Sequence, residues 1–356
     1  MRSWFLPAIL LIFALLSVLT LSSIAPTLAP RQLLFFLLGG VVFWIAAKMN
    51  FSDSLRLSPL GYVVTILLLV LVLVVGLTTR GTRSWIDFGE FRMQPSQLAI
   101  PLVGLFLARL VESRQLKKFS QLIKALVVIA IPGLLILIEP DLGTTVVYLA
   151  TVGTIVFFKD LNWRHVLFLG LLALVGLIIA WFFVLHPYQQ LRISSFLDPN
   201  KNTQMTAANY NAQQSLIAVG SGQWLGRGLG QGVQSHLRFL PERQTDFIFA
   251  SLAEEFGFLG SALLIGLYTA LISFFIFIGL NSRKESEALF CYMATSMILV
   301  QAGVNIGMNM GLLPITGITL PLLSYGGSSV ITIMGMMGIL QSIARNQQKQ
   351  VLLNIS

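Results

Sequence analysis

About ten apolar runs, separated by short polar breaks, set the pattern of this chain. They extend from Phe5 to Ile24, Gln32 to Ala47, Leu60 to Leu77, Leu98 to Val111, Leu122 to Ile138 and Leu142 to Phe158. Four more extend from Val166 to Leu185, Phe249 to Leu280, Ala288 to Met310 and Val330 to Ile343. A helical crossing of a bilayer takes about 20 apolar residues. The runs reach or approach that length, the fourth and the last being the shortest. The pattern predicts an all-α polytopic integral membrane protein with about ten transmembrane helices.

One run departs from the rule. Asp246 to Leu280 is about 35 residues, too long for a single crossing at about 1.5 Å per residue. The expectation is a short membrane-dipping helix from Asp246, N-capped by Thr245, a break near Gly257 and Gly260, and then the true span. The first run is not expected to be a cleaved signal. Ala25 and Ala29 are each followed by proline, and no A-x-A site stands there.

Composition agrees with the pattern. Of 356 residues 56 % are hydrophobic and 10 % charged, and the mean hydropathy is +0.83. A soluble domain carries roughly a quarter charged residues, so a dispersed monomer is excluded. A single cysteine, Cys291, excludes a disulfide scaffold. The net charge of +9 does not point to nucleic acid, because the basic residues lie between apolar runs and form no stripe. In a membrane protein they orient the chain and attract anionic lipid.

That orientation follows from Lys and Arg. Arg2, Lys48, Arg56, Arg114, Lys117, Lys118, Lys159, Arg164, Arg283, Lys284, Arg345 and Lys349 fall on one side of the alternation. The short loops opposite hold only Arg31, Arg80, Arg83 and Arg92. Both termini are therefore expected in the cytoplasm. Residues 186–245 then form one large extracytoplasmic loop within a single transmembrane domain spanning 1–356. Loops of that length are usually functional or disordered; Tyr188, Phe196, Tyr210, Leu216, Trp224 and Leu225 predict an ordered one on the membrane surface.

Soluble-enzyme motifs are mostly absent. His165, His186 and His236 lack ligand spacing. Gly226, Gly228, Gly230 and Gly232 alternate, but with no preceding strand or acidic ribose partner they read as a tight turn that brings backbone close to another surface. Asp246, Glu254 and Glu255 cannot converge from one straight helix. At roughly 100° per residue Glu255 points opposite Asp246, and Glu254 lies about 80° away. Asp246 must act alone or with groups from elsewhere, or else serve only the helix dipole. Glu254 and Glu255 are expected to bond backbone or Arg. Arg83 and Trp85 suit interfacial anchoring. Glu139 and Asp141 sit in a hairpin, Asp141 as a helix cap. Pro314, Pro321, Gly326 and Ser328 mark an irregular approach to the last span, tolerated only where protein or a cavity covers it.

Together these stretches resemble the SEDS family (shape, elongation, division and sporulation proteins), closest to its RodA branch. The likeness extends along nearly the whole chain. It is carried by R-S-W-I-D-F-G with Q-P-S, E-P-D-L-G-T, Y-Q-Q-L-R-I with F-L-D-P, Y-N-A-Q-Q-S, and G-R-G-L-G. It continues through L-P-E-R-Q-T-D-F-I-F-A with E-E-F-G, and L-P-I-T-G-I-T-L-P-L-L-S-Y-G-G-S-S. The resemblance implies a peptidoglycan glycosyltransferase of the bacterial inner membrane that polymerises lipid II beside a class B penicillin-binding protein. It places the family's acidic residue on Asp246, as general base. Arg192, Arg243, Glu242, Arg83 and Trp85 are then candidate substrate contacts, and Glu254, Glu255, Glu139, Asp141, Gly326 and Ser328 supporting residues. A divalent cation, Mg or Mn, suits a pyrophosphate substrate, though no ligand set can be read.

The chain departs from the family at one point. After Q-P-S the pattern has Glu and, three residues later, Lys; here these are Gln97 and Ile100. An i,i+3 pair shares a helix face, so both charges are lost together. A lipid II flippase and an inactive scaffold for a penicillin-binding protein are the competing classes. Transporters place ionisable groups near the midplane, whereas here charges hug the span ends, apart from Glu254 and Glu255.

Overall fold

The structure, a computed structural model, describes residues 2–79, 82–89, 91–112, 116, 118–159, 161–197 and 207–353. Arg80, Arg114, Lys117 and the Asp198–Pro199 pair lie outside the described residues. The first half of the chain forms α1 (Arg2–Ile24), α2 (Ala29–Lys48), α3 (Phe51–Val75), α4 (Pro95–Glu112), α5 (Phe119–Ile138), α6 (Leu142–Phe157) and α7 (Trp163–Ile179). A π-helical turn, Ala180–Val184, continues α7. Then come α8 (Pro187–Leu197), α9 (Ala207–Ser221) and the single turn α10 (Val233–His236). The chain closes with α11 (Ile248–Leu280), α12 (Glu285–Asn309) and α13 (Gly327–Leu353).

Among the described residues nine helices are long and apolar enough to cross a bilayer. The tenth expected span, α6, has 16 residues, or about 24 Å of helix against a hydrocarbon core of about 30 Å. The expectation that the fourth and last runs are the shortest spans is thus corrected. Both helices extend beyond their apolar runs, because Pro95 opens α4 at the position where proline is best tolerated and polar residues prolong α13. Lipid is the solvent for the outer surface: Leu11, Leu67, Trp163 and Phe182 are exposed. The centre is filled by α13, α4 and α12, the most buried of the spans, around fully buried Phe13, Tyr148, Phe275 and Phe290.

The helical pattern hid one small sheet. Strands β1 (Leu77–Thr79), β2 (Thr82–Asp87) and β3 (Arg92–Met93) pair antiparallel in that order. Leu77 faces Trp85, and Ile86 faces Met93. It lies between α3 and α4 in the chain.

The break in α11 falls at Gly257, whose φ of 65° and ψ of −159° are non-helical. Gly260 stays within the helix. In hydrocarbon each unpaired backbone group costs several kcal/mol, and here the glycine-rich turn supplies the partners. Gln223 O and Trp224 O accept the N–H groups of Phe258 (2.8 Å) and Leu259 (3.2 Å). Arg227 N and Gly228 N donate to Glu254 O (2.9 Å) and Glu255 O (3.1 Å). A Cβ on Gly226 would overlap the Glu255 carbonyl oxygen, and one on Gly257 would overlap Gly226 N. Of the alternating glycines, Gly226 is the one that allows this backbone approach, and Gly232 leaves room for the Glu254 carboxylate.

Gly257→Ala should therefore destabilise the protein by about 2 kcal/mol or more, combining a backbone region costing ~1–3 kcal/mol for other residues with a backbone clash. Thermal melting in detergent measures it. An alanine variant melting with the parent would show that the junction does not hold α11.

Candidate functional site

Asp246 stands just ahead of α11 and is half-buried. The carbonyl of Glu242, a residue at φ 53°, accepts the N–H groups of Thr245 (3.1 Å), Asp246 (3.1 Å) and Phe247 (3.3 Å). Thr245 is not the N-cap: its hydroxyl bonds Glu242 O (3.3 Å), and the cap residue, Phe247, offers no side-chain acceptor. The acceptor comes from α12, where Asn309 Oδ1 takes the N–H of Ala250 (3.2 Å). Asn305 and Asn309 also donate Nδ2 to the carbonyl of Asp246, at 2.9 and 3.0 Å. Sequence reading missed both asparagines. Their signal is two amides four residues apart in an otherwise apolar span, where polar groups need a reason.

The irregular stretch 310–326 organises the remainder. Ser324 donates to Thr245 O (2.6 Å) and Tyr325 N to Gln244 O (2.9 Å). Gly317, at φ 76°, lies beside Asp246: a Cβ there would stand 3.7 Å from Oδ2. One residue back, Thr316 O packs on Gly143 at the start of α6. The head of α6 is in turn joined to α4 and α13. Asp141 caps α6 through Thr144 N (3.0 Å) and accepts Gln94 Nε2 (2.9 Å), while Gln94 N donates to Ser328 Oγ (3.0 Å). Gly326 N reaches Gln32 Oε1 (3.3 Å). Asp246, Asp141, Gly326 and Ser328 are thus linked through one stretch of chain.

Other expected site residues are otherwise engaged. Arg83 holds the end of α3, donating Nε to Gly76 O (2.9 Å) and a terminal nitrogen to Val74 O (2.5 Å). Its guanidinium caps the C-terminal end of α3. Trp85 is half-buried on β2 opposite Leu77. Arg243 donates Nε to Ile24 O at the end of α1 (3.0 Å). Burial, and the charge of Arg238 beside it, pull the Arg243 pKa down, which places two cations together just before Asp246. Arg192 is exposed on α8. Glu254 accepts Gln234 N (2.8 Å), Ser235 N (3.0 Å) and Ser235 Oγ (2.7 Å). Glu255 bonds Ser23 Oγ, Gly230 N (3.2 Å) and His236 Nε2 (3.1 Å). Their partners are backbone, serine and histidine, and not Arg. Ile100 is fully buried in the apolar core, and Gln97 Oε1 is buried without a hydrogen bond.

Among the described residues no group of three or more His, Cys, Asp or Glu side chains could hold a metal ion. A cation at this site would be held by one or two carboxylates together with phosphate oxygens of a substrate, the usual arrangement for Mg²⁺.

These features belong to a fold of packed membrane helices with one helix broken at a glycine and an acid at its head. The model for cell cycle proteins of the FtsW, RodA and SpoVE type matches residues 2–349, and the chain belongs to that family. It is 39 % identical over 290 residues to peptidoglycan glycosyltransferase MrdB of Escherichia coli, covering 80 % of this chain and 77 % of that protein. It is 38 % identical over 325 residues to stage V sporulation protein E of Bacillus subtilis, covering 89 % and 87 %. Rod shape determining protein RodA of Thermus thermophilus superposes with a TM-score of 0.73 at 29 % identity, over 97 % of each chain. A chain from a peptidoglycan synthase complex that coordinates polymerization and crosslinking superposes at 0.82 and 32 %, over 97 % of this chain and 98 % of that one.

Glu139, in the hairpin between α5 and α6, is fully buried and neither carboxyl oxygen has a hydrogen bond. Burial, and then the charge of Asp141, push its pKa from 4.5 to about 9. The folded chain holds this proton to higher pH than the unfolded chain, so the stability that Glu139 contributes is fully present below about 4.5 and is lost as pH rises toward about 9. Glu139→Gln keeps the size and the neutral form. Its melting temperature should decline less than the parent's across that window; parallel declines would show that Glu139 does not titrate there.

Proposed function

We propose that this chain is a peptidoglycan glycosyltransferase that polymerises lipid II at the outer face of the bacterial inner membrane, with Asp246 as general base and cell elongation as its setting. The observation that carries the reading is the setting of Asp246. A half-buried carboxylate heads a broken membrane helix, its carbonyl fixed by two amides and Gly317 beside its Oδ2.

The chemistry joins an acceptor sugar hydroxyl to the anomeric carbon of a sugar linked to a lipid pyrophosphate. The new carbon–oxygen bond forms as the bond to the pyrophosphate oxygen breaks, and that electron pair leaves with the lipid pyrophosphate. Asp246 takes the hydroxyl proton. Arg238 and Arg243 supply positive potential where negative charge develops on the leaving group. Arg192, Glu242 and Trp85 are assigned to further substrate contacts. A divalent cation such as Mg²⁺ or Mn²⁺, when bound, neutralises the pyrophosphate; Asp246 and the phosphates are its available oxygen donors.

A class B penicillin-binding protein is the assigned partner, in keeping with the synthase complex that the chain resembles. With lipid II and this partner, Asp246→Asn should lose on the order of 10²–10⁴-fold in glycan synthesis, the usual cost of a general base, while still purifying with the partner. The parent should polymerise faster with the partner than alone. Glycan made by the Asn variant at the parental rate would favour the flippase or scaffold reading.

We also assign both termini to the cytoplasm and residues 186–245 to the outside. Basic residues from three connections and from the C-terminal part of α13 gather at one end of the bundle, which supports this. Lys159 pairs with Glu285 (2.6 Å), Lys284 donates to Ser52 Oγ (3.0 Å) and Arg345 to Lys48 O (3.2 Å). A cysteine at exposed Arg227, in a Cys291→Ala chain, should react with an impermeant maleimide on intact cells. Reaction only after the cells are broken would reverse the orientation.

A further inference from the structure

Residue 246 lies between two elements that cannot fix it alone. On its N-terminal side is an irregular turn, and on its C-terminal side a helix whose own cap residue gives no side-chain acceptor. The fixing groups come from α12. Asn305 and Asn309 are four residues apart and so share one face of that helix. Both are fully buried. Asn309 brackets the helix start with a single amide: Nδ2 donates to Asp246 O (3.0 Å) and Oδ1 accepts Ala250 N (3.2 Å). Asn305 Nδ2 is shared between Asp246 O (2.9 Å) and Ile318 O (2.6 Å). The pair is braced from within and from outside. Asn309 Nδ2 donates to Asn305 O (2.8 Å), and Ser215 of α9 donates to Asn309 O (2.9 Å) and Oδ1 (3.2 Å).

These bonds fix the peptide that follows Asp246 and therefore the direction in which its Cα–Cβ bond points. The second bond of Asn305 holds the 316–318 stretch, which carries Gly317 to the side of Asp246 Oδ2. We propose that Asn305 and Asn309 are positioning residues for glycosyl transfer, aiming the Asp246 carboxylate at the acceptor hydroxyl through its backbone. This rests on the reading of Asp246 as general base. Sub-ångström aim matters to such a group, since a displacement of about 1 Å costs on the order of 10²-fold in rate. An alanine at either position removes one of the two donors on the Asp246 carbonyl; at 305 it also frees the facing loop.

The test uses the full chain with its penicillin-binding partner and lipid II, measured at steady state. Asn305→Ala and Asn309→Ala should each lower kcat on the order of 10–100-fold while KM stays within about threefold and partner co-purification is kept. Combined with Asp246→Asn, either alanine should cause no further loss of the residual rate, because the group it aims is already gone. A near-parental kcat in both alanine variants would overturn the proposal. So would an equal proportional loss with and without the Asp246 carboxylate, the signature of a merely structural role. If Asn305→Ala does not accumulate as folded protein, Asn309→Ser, which keeps a short polar side chain but no amide donor pair, is read by the same criteria. A fully active Asp246→Asn chain would instead sink the general-base reading itself, whatever the asparagine variants do.

Discussion

A helix can be broken inside a membrane only if the groups freed by the break find partners, and in this protein everything around Asp246 follows from how α11 meets that demand. The turn at 223–228 lends two carbonyls to the lower limb of the helix and two N–H groups to the upper limb. Side chains then fasten the turn in place. Glu254 holds the start of α10, and Glu255 reaches the turn at Gly230, His236 on α10 and Ser23 on α1. Arg243 adds a second link to the end of α1 through Ile24 O. The upper limb is thereby held at its C-terminal end by the junction and near its N-terminal end by α1. Asp246 sits at the head of the limb so held.

The same bonds explain why three acids close in sequence do not form a two-carboxylate site. Glu254 has one oxygen on Gln234 N and the other on Ser235, so its carboxylate is filled by donors from α10. Glu255 is buried against Ser23, Gly230 and His236. A buried carboxylate with such partners stays bound to them, since exchanging good donors for none is costly. Glycosyl transfer from a pyrophosphate does not demand a second acid, because the departing group is already a good anion and needs positive charge rather than a proton. A single acid with a pair of arginines nearby is a sufficient set of parts.

Much of this arrangement was legible before any coordinates. Apolar run lengths gave the ten helices to within a few residues at most ends, because lipid imposes a length that sequence must meet. The excessive length of the eighth run, with Gly257 inside it, announced the break. The alternating glycines announced a close backbone approach, though not that its target was Glu254 and Glu255. Three features stayed hidden for physical reasons. The sheet at 77–93 is held by backbone pairing over very short strands, which leaves no periodic signal. The cap of α11 is supplied by Asn309 from 59 residues beyond the bonded Ala250 N, and local rules look only to Thr245 and its neighbours. Arg83 looks like a surface cation in sequence, yet the carbonyls at the end of α3 take its guanidinium.

Gln97 and Ile100 show what the chain does where the family's charge pair is missing. A buried ion pair and an apolar replacement of similar volume are close in stability, so losing both charges together need not strain the fold. Ile100 accordingly disappears into the apolar core. Gln97 Oε1 and both oxygens of Glu139 are buried without hydrogen bonds. Glu139 meets that environment by holding its proton, which removes a second negative charge from beside Asp141. Asp141 can then keep the bonds to Thr144 and Gln94 through which the head of α6 is joined to α4 and α13. The apolar side chain at 100 and the proton held at 139 each answer the same general constraint, that a buried charge stands only where donors surround it.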